Sequence, residues 1–180
     1  MVRLTRGTYD PPMWSPYTIG TAPKKMRPLT TKEGLGDRLR LIAFAERQAF
    51  HAFNHAAAHF TDAPEGLREA WRWVALEEAK HESWLLTRLG DLGLEVGAVP
   101  VSLDLYHSLM RCEGAREFAL YVSNAEERGR VGAEKFAQVL AQVDPVSAAM
   151  FKKIAEEEVE HIRLVDRFFP ADGNQSGALG

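Results

Sequence analysis

The chain has 180 residues, enough for one domain with a single hydrophobic core. Its one cysteine excludes an intramolecular disulfide and a cysteine-rich zinc site, and its net charge of −3 argues against a general nucleic-acid-binding protein. The sequence has no run of about 20 apolar residues and no secretory signal, so we expect a cytoplasmic protein with no membrane partner. Glutamate outnumbers aspartate by 17 to 8, a composition that favours helices.

The first 32 residues differ in composition from the rest of the chain. They contain five of the nine prolines and have a formal charge of +5, whereas residues 33–180 have a formal charge of −8. Because proline at this density opposes a regular helix, residues 1–32 are predicted to form an extended, proline-rich arm. Trp14 and Tyr17 are suited to hold this arm against the body or against a second subunit.

Apolar residues recur at helical spacing along four long segments. The pattern predicts helices over about residues 32–60, 67–89, 113–142 and 145–169. Residues 91–112 make a connection long enough to run from one end of a bundle to the other. We therefore predict an all-α fold, a ferritin-like four-helix bundle over residues 33–169 with a long crossover between its second and third helices. Residues 170–180 are predicted to be a flexible tail.

Each predicted helix carries a glutamate on its apolar side. Such a carboxylate is costly to bury unless it is paired or binds a metal. The second and fourth helices also carry histidine three residues later, which places the two side chains on one face. The resulting set of candidate metal ligands is Glu46, Glu78, His81, Glu126, Glu158 and His161.

This order of residues matches the ligand set of a di-iron or di-manganese carboxylate site, so two iron ions are expected, with manganese as an alternative. A metal-free bundle is the competing interpretation, in which arginines or histidines pair with the buried glutamates. The arginines available for that role are Arg40, Arg47, Arg128 and Arg163. Glu82 lies near the same face and is considered as a further ligand or a proton-carrying group.

A second group of histidines follows the first helix at a spacing of four, namely His51, His55 and His59. Histidines at this spacing can share a cation. However, His55 is nine residues from Glu46, which places it on the opposite side of the helix. The stripe is therefore predicted to face solvent or another subunit.

Three segments resemble an uncharacterised family of bacterial ferritin-like di-iron carboxylate proteins, which is distantly similar to tRNA hydroxylases. The first segment starts with the run Glu77-Glu78-Ala79-Lys80-His81-Glu82. The second is Ala125-Glu126-Glu127-Arg128-Gly129, and the third is Glu157-Glu158-Val159-Glu160-His161. The resemblance covers about residues 33–169. It implies a di-iron carboxylate fold and favours Glu126 over Glu127 as the ligand from the third helix.

These observations predict a non-haem di-iron protein that activates dioxygen or peroxide, as an oxidase or hydroxylase of an unknown small-molecule substrate. One alternative is a ferritin-like ferroxidase for iron storage or detoxification. Another is a metal-free helical interaction module. We expect a homodimer, and a tRNA substrate is the least supported option because only the arm is basic.

Overall fold

A computed structural model describes residues 11–170 of the chain. This part is all-α, as predicted, and its strand-like pairing is limited to one isolated parallel bridge between Ile19 and Val101. None of its helices is long and apolar enough to cross a membrane. The helices are α1 (Pro11–Trp14), α2 (Lys32–His59), α3 (Glu65–Asp91), α4 (Asp104–Leu109), α5 (Ala115–Leu140) and α6 (Pro145–Phe168), with a 3-10 turn at Val96–Ala98.

The four long helices begin and end within about two residues of their predicted bounds. Helix α2 starts after Thr31, whose hydroxyl accepts a hydrogen bond from the backbone N–H of Gly34 at 3.1 Å. The end of α3 lies two residues beyond its predicted bound, since Gly90 lies inside the helix and Gly93 follows it. Gly93 has a φ of 62°, the left-handed conformation that commonly terminates a helix.

Asp144 joins the start of α6 to α3. Its carboxylate accepts a hydrogen bond from the backbone N–H of Ser147 at 3.1 Å, and Pro145 occupies the first helical position. Arg88 of α3 donates to both Asp144 oxygens, at 2.9 and 3.0 Å. This contact sets the register of one helical hairpin against the other.

The long helices form two hairpins, α2 with α3 and α5 with α6, which face each other across α3–α6 and α2–α5 contacts. Two clusters of buried apolar residues fill the space between them. One cluster is built around Phe44, Leu85 and Phe151, and the other around Phe53 and Trp71. All the candidate ligands come from the stretches of helix between these clusters, so a polar layer interrupts the core at one level.

The described part of the N-terminal arm packs against the body, and residues 1–10 lie outside the described residues. Trp14 and Tyr17 are buried, and both rings contact Phe44. Residues 11–14 of the predicted extended arm form one helical turn, α1, because a helix tolerates proline in its first turn. Beyond residue 170, the predicted tail lies outside the described residues.

Candidate metal centre

Three helices contribute the central side chains of the polar layer. Glu46 comes from α2, Glu78 and His81 from α3, and Glu158 from α6. These four residues are buried, and each offers one ligand atom such that all four atoms lie within 4.8 Å of one another. Side chains from three different helices therefore surround a space of the size that one metal ion requires.

The other two candidates adjoin this group. His161 Nδ1 lies 2.9 Å from Glu158 Oε2 and 3.1 Å from Glu78 Oε1. Glu126 of α5 borders the same cavity as Glu46 and Glu158, and it is the least buried of the four carboxylates. The structure therefore brings all six predicted residues to one centre, with Glu126 at its open edge.

Several buried polar atoms of this centre have no hydrogen-bond partner among the described residues. They are both carboxylate oxygens of Glu78, Nδ1 of His81 and Nε2 of His161. His81 Nδ1 is 3.1 Å from Glu158 Oε1, but the two groups are not aligned for a hydrogen bond. Because buried polar atoms are almost always satisfied, the unpartnered atoms of Glu78 and His81 fit a bound cation.

The metal-free interpretation allows glutamate–histidine pairs, and these are present in the cluster. Its four candidate arginines lie elsewhere: Arg128 is exposed, and the other three form different ion pairs. Arg47 donates to Glu82, Arg40 lies beside Asp37, and Arg163 pairs with Glu160. Within residues 11–170, no lysine or arginine forms an ion pair with any of the four central glutamates. Histidines are thus the basic groups in contact with this carboxylate cluster.

The electrostatics of the centre reflect this shortage of positive charge. Burial, reinforced by repulsion from Glu78, raises the pKa of Glu46 well above its ordinary value, and burial raises the pKa of Glu126 in the same way. Burial opposes the charged form of Glu78, but contact with His161 and His81 lowers its pKa. In the histidines the neighbouring carboxylates outweigh burial and raise the pKa to about 10 for His81 and about 9 for His161.

These shifts favour the protonated forms of His81, His161, Glu46 and Glu126, which reduces the negative charge of the layer. Metal binding to such a set must release these protons, so affinity would increase with pH.

Glu157 orients His81 from outside the cluster. Its Oε2 lies 2.8 Å from His81 Nε2, on the side of the ring opposite the other carboxylates. Lys80 and Lys153 each approach Glu157 at 3.0 Å, and these contacts, with the hydrogen bond to His81, lower its pKa to about 2 despite the cost of burial. An ionised carboxylate that accepts the far N–H of a histidine is the usual support of a metal-binding imidazole.

Glu82, considered above as a further ligand or a proton-carrying group, has other partners in the structure. Both oxygens of Glu82 are engaged, one by Tyr17 Oη at 2.7 Å and the other by Arg47 Nε at 2.7 Å. Glu82 thus connects the N-terminal arm to α2 and α3. Burial, together with the hydrogen bond to Glu82, raises the pKa of Tyr17, so its hydroxyl remains protonated.

The histidine stripe on α2 forms no part of the cluster. The ring of His51 packs edge-on against Trp14 of the arm, with centroids 5.1 Å apart. His55 and His59 stack on each other at 4.1 Å, and His59 is exposed. The predicted contact with solvent therefore holds for His59, while His51 supports the arm.

Sequence reasoning missed the partners that hold the centre in position. The link between Glu157 and His81 joins residues 76 positions apart, so helical spacing gives no sign of it. Gln48 is a second example. Its buried side chain accepts a hydrogen bond from the Tyr106 backbone N–H at 2.9 Å and thereby fixes α4 over α2.

The chain belongs to the protein family of unknown function DUF455, whose model matches residues 10–178. The match covers the arm from residue 10 onward as well as all four long helices. Searches of curated proteins and of solved structures found no match.

Proposed function

We propose that this protein is a non-haem di-iron carboxylate protein with a ferritin-like four-helix bundle, which activates dioxygen or peroxide to oxidise a small substrate. The observation that carries the proposal is the layer of four glutamates and two histidines, in which both oxygens of Glu78 and Nδ1 of His81 are buried without a hydrogen-bond partner. Within residues 11–170, none of the four glutamates has a lysine or arginine partner. Two manganese ions would suit the same oxygen-rich donor set.

The residues present fit a pair of divalent ions. Glu46, Glu78, Glu126 and Glu158 would bind the ions, and their four negative charges would balance the four positive charges of the pair. His81 and His161 would each bind through Nδ1, the nitrogen that faces the carboxylates. When bound, the iron pair would supply the redox chemistry that reduces dioxygen or peroxide.

The chain's own residues control access and geometry. The apolar clusters exclude water from the two sides of the layer that they cover. Glu157 holds the His81 ring in one orientation and its proton on Nε2, which leaves Nδ1 free to bind a metal. Glu126 lies at the open edge, where an exchangeable carboxylate can move without disturbing the core.

Metal analysis tests the proposal directly. The full chain is expressed in iron-replete medium and, separately, in manganese-replete medium, and the purified protein is analysed by elemental mass spectrometry. We expect about two ions per chain, and loss of most of this metal in Glu158→Ala. Glu156→Ala is the matched control, because Glu156 is exposed on the same turn of α6.

Native protein with no more metal than Glu158→Ala in either medium would overturn the proposal. Dioxygen consumption then distinguishes the kinds of iron protein. An oxidase or hydroxylase consumes little dioxygen with excess Fe(II) alone, whereas a ferroxidase oxidises Fe(II) over many turnovers.

A further inference from the structure

A cavity opens beside the carboxylate layer, between α2 and α5. It has a volume of about 110 Å³, and three of the four central glutamates, Glu46, Glu126 and Glu158, form its polar side. The remaining lining is apolar. It is therefore a space in which a molecule could lie against the metal centre, and it is partly open to the surface.

Small side chains create this cavity. Ala125, Gly129 and Ala133 follow one another at a spacing of four on α5, and Ala45 and Ala49 do the same on α2. A Cβ atom added at Gly129 would meet no atom within 4 Å. The gap between the helices thus results from the choice of residues on both sides.

Helix α4 covers part of this gap. Leu105 contributes an apolar side chain to the cavity wall, and the next residue, Tyr106, donates its backbone N–H to Gln48 of α2. Because Gln48 is buried and its amide also donates to the Phe44 carbonyl at 3.2 Å, α4 has a fixed position. The cavity is therefore part of the folded structure.

The chemistry of the lining limits what can bind. Water in a cavity needs two to four polar partners, and here polar groups occur on one side only. The carboxylates repel anions, and a pair of divalent ions would balance their charge without leaving a positive excess. A neutral, apolar molecule satisfies both the walls and the charge. An apolar cavity of about 150 Å³ holds benzene, so this cavity, which is smaller but open to the surface, admits at most a group of about that size.

We infer that this cavity binds the substrate, and that the substrate is a small neutral molecule, or the end of a larger one, that presents an apolar group of about the size of benzene to the metal centre. The inference rests on the proposed function for the identity of the reaction. The binding site itself depends only on the cavity.

Benzene binding to the purified, iron-loaded full chain tests the inference. It is followed by isothermal titration calorimetry and by ligand-detected NMR. We expect saturable binding of one benzene per chain. In Gly129→Leu the new side chain fills the mouth of the cavity, so affinity should fall at least tenfold. Ala125→Leu should also weaken binding, from one end of the stripe.

Gly132→Leu is the matched control. Gly132 lies on the same helix and also has no atom within 4 Å of an added Cβ, but it does not line the cavity. Both glycine replacements should favour the helix, so loss of folding is not expected in either. Gly132→Leu should bind benzene with native affinity.

Absence of saturable benzene binding to the native chain, or equal affinity in Gly129→Leu and Gly132→Leu, would overturn the inference. The iron content of each sample is measured in parallel. Metal-loaded protein that fails to bind benzene refutes the cavity assignment alone. Benzene binding by a native chain that holds neither iron nor manganese after expression in the two metal-replete media refutes the proposed function, and with it the assignment of this ligand as a substrate.

Discussion

Replacing Glu46 by glutamine separates a metal ligand from a structural carboxylate. Glu46 is 6% exposed and has other carboxylates as its charged neighbours, and burial raises its pKa. The shift favours the protonated form of Glu46 in the metal-free chain. Glutamine has nearly the shape of a protonated glutamate. We therefore expect the free energy of unfolding of the metal-free variant to lie within about 0.5 kcal/mol of that of the native chain.

Metal binding should reveal a large difference between the two proteins. At a free metal concentration of 100 times Kd, a bound ion stabilises the native fold by about 2.7 kcal/mol. In a chain of this size that corresponds to a rise in Tm of roughly 5–11 °C. If Glu46→Gln weakens metal affinity a hundredfold, the same metal concentration stabilises the variant by about 0.4 kcal/mol. The corresponding rise in Tm is roughly 1 °C.

The assay is thermal unfolding followed by circular dichroism, with and without Mn(II), which avoids oxidation during the scan. Glu127→Gln is the control, because Glu127 follows Glu126 but forms an exposed ion pair with Arg130. Such pairs contribute about 0–1 kcal/mol, and the metal-induced rise in Tm should stay at its native value. The reasoning is refuted if Glu46→Gln retains the full rise, or if the variant is strongly destabilised without metal.

Three further predictions concern residues around the centre. Glu157→Gln should weaken metal affinity about 10- to 100-fold in calorimetric titrations, because His81 loses its ionised partner, while Glu156→Gln, a change at an exposed site, should have no effect. The pKa of Asp144 is lowered because Arg88 and the N-terminus of α6 stabilise its charge against the cost of burial. The contribution of the ionised carboxylate to folding stability is therefore present above pH of about 4 and is lost as the pH falls through the folded-state pKa. Denaturant titrations from pH 7 to pH 3 should therefore show a shallower loss of stability for Asp144→Asn, and native-like pH dependence would contradict this account. Tyr17→Phe removes one of the two hydrogen bonds to the buried Glu82 carboxylate and should lower the free energy of unfolding in urea by about 1–3 kcal/mol. An unchanged free energy of unfolding would show that this contact of the arm contributes nothing to stability.

Local sequence patterns predicted the helices and the inward glutamates well. Glu46 has apolar neighbours one and two turns away on both sides, so any amphipathic helix must turn it toward the core. The same rule separates Glu126 from Glu127, which is exposed. These predictions succeed because the period of a helix is fixed by backbone geometry, whatever the surroundings.

Residues that contact each other across helices could not be predicted in this way. Glu82 has the helical position of a ligand, but Tyr17 and Arg47 occupy its oxygens. One of these partners comes from the N-terminal arm, 65 positions away. Spacing along one helix identifies the face on which a side chain lies, and it carries no information about which distant group reaches that face first.

By itself, the sequence determined the all-α class, the four long helices and the face on which each of the six candidate ligands lies. Each of these follows from interactions between residues a few positions apart. Only the tertiary structure decided that the six residues meet in one layer, that Glu157 supports His81, and that α2 and α5 leave a cavity beside the carboxylates. Those features depend on how the two hairpins pack, which is set by the combined shape of side chains from every element.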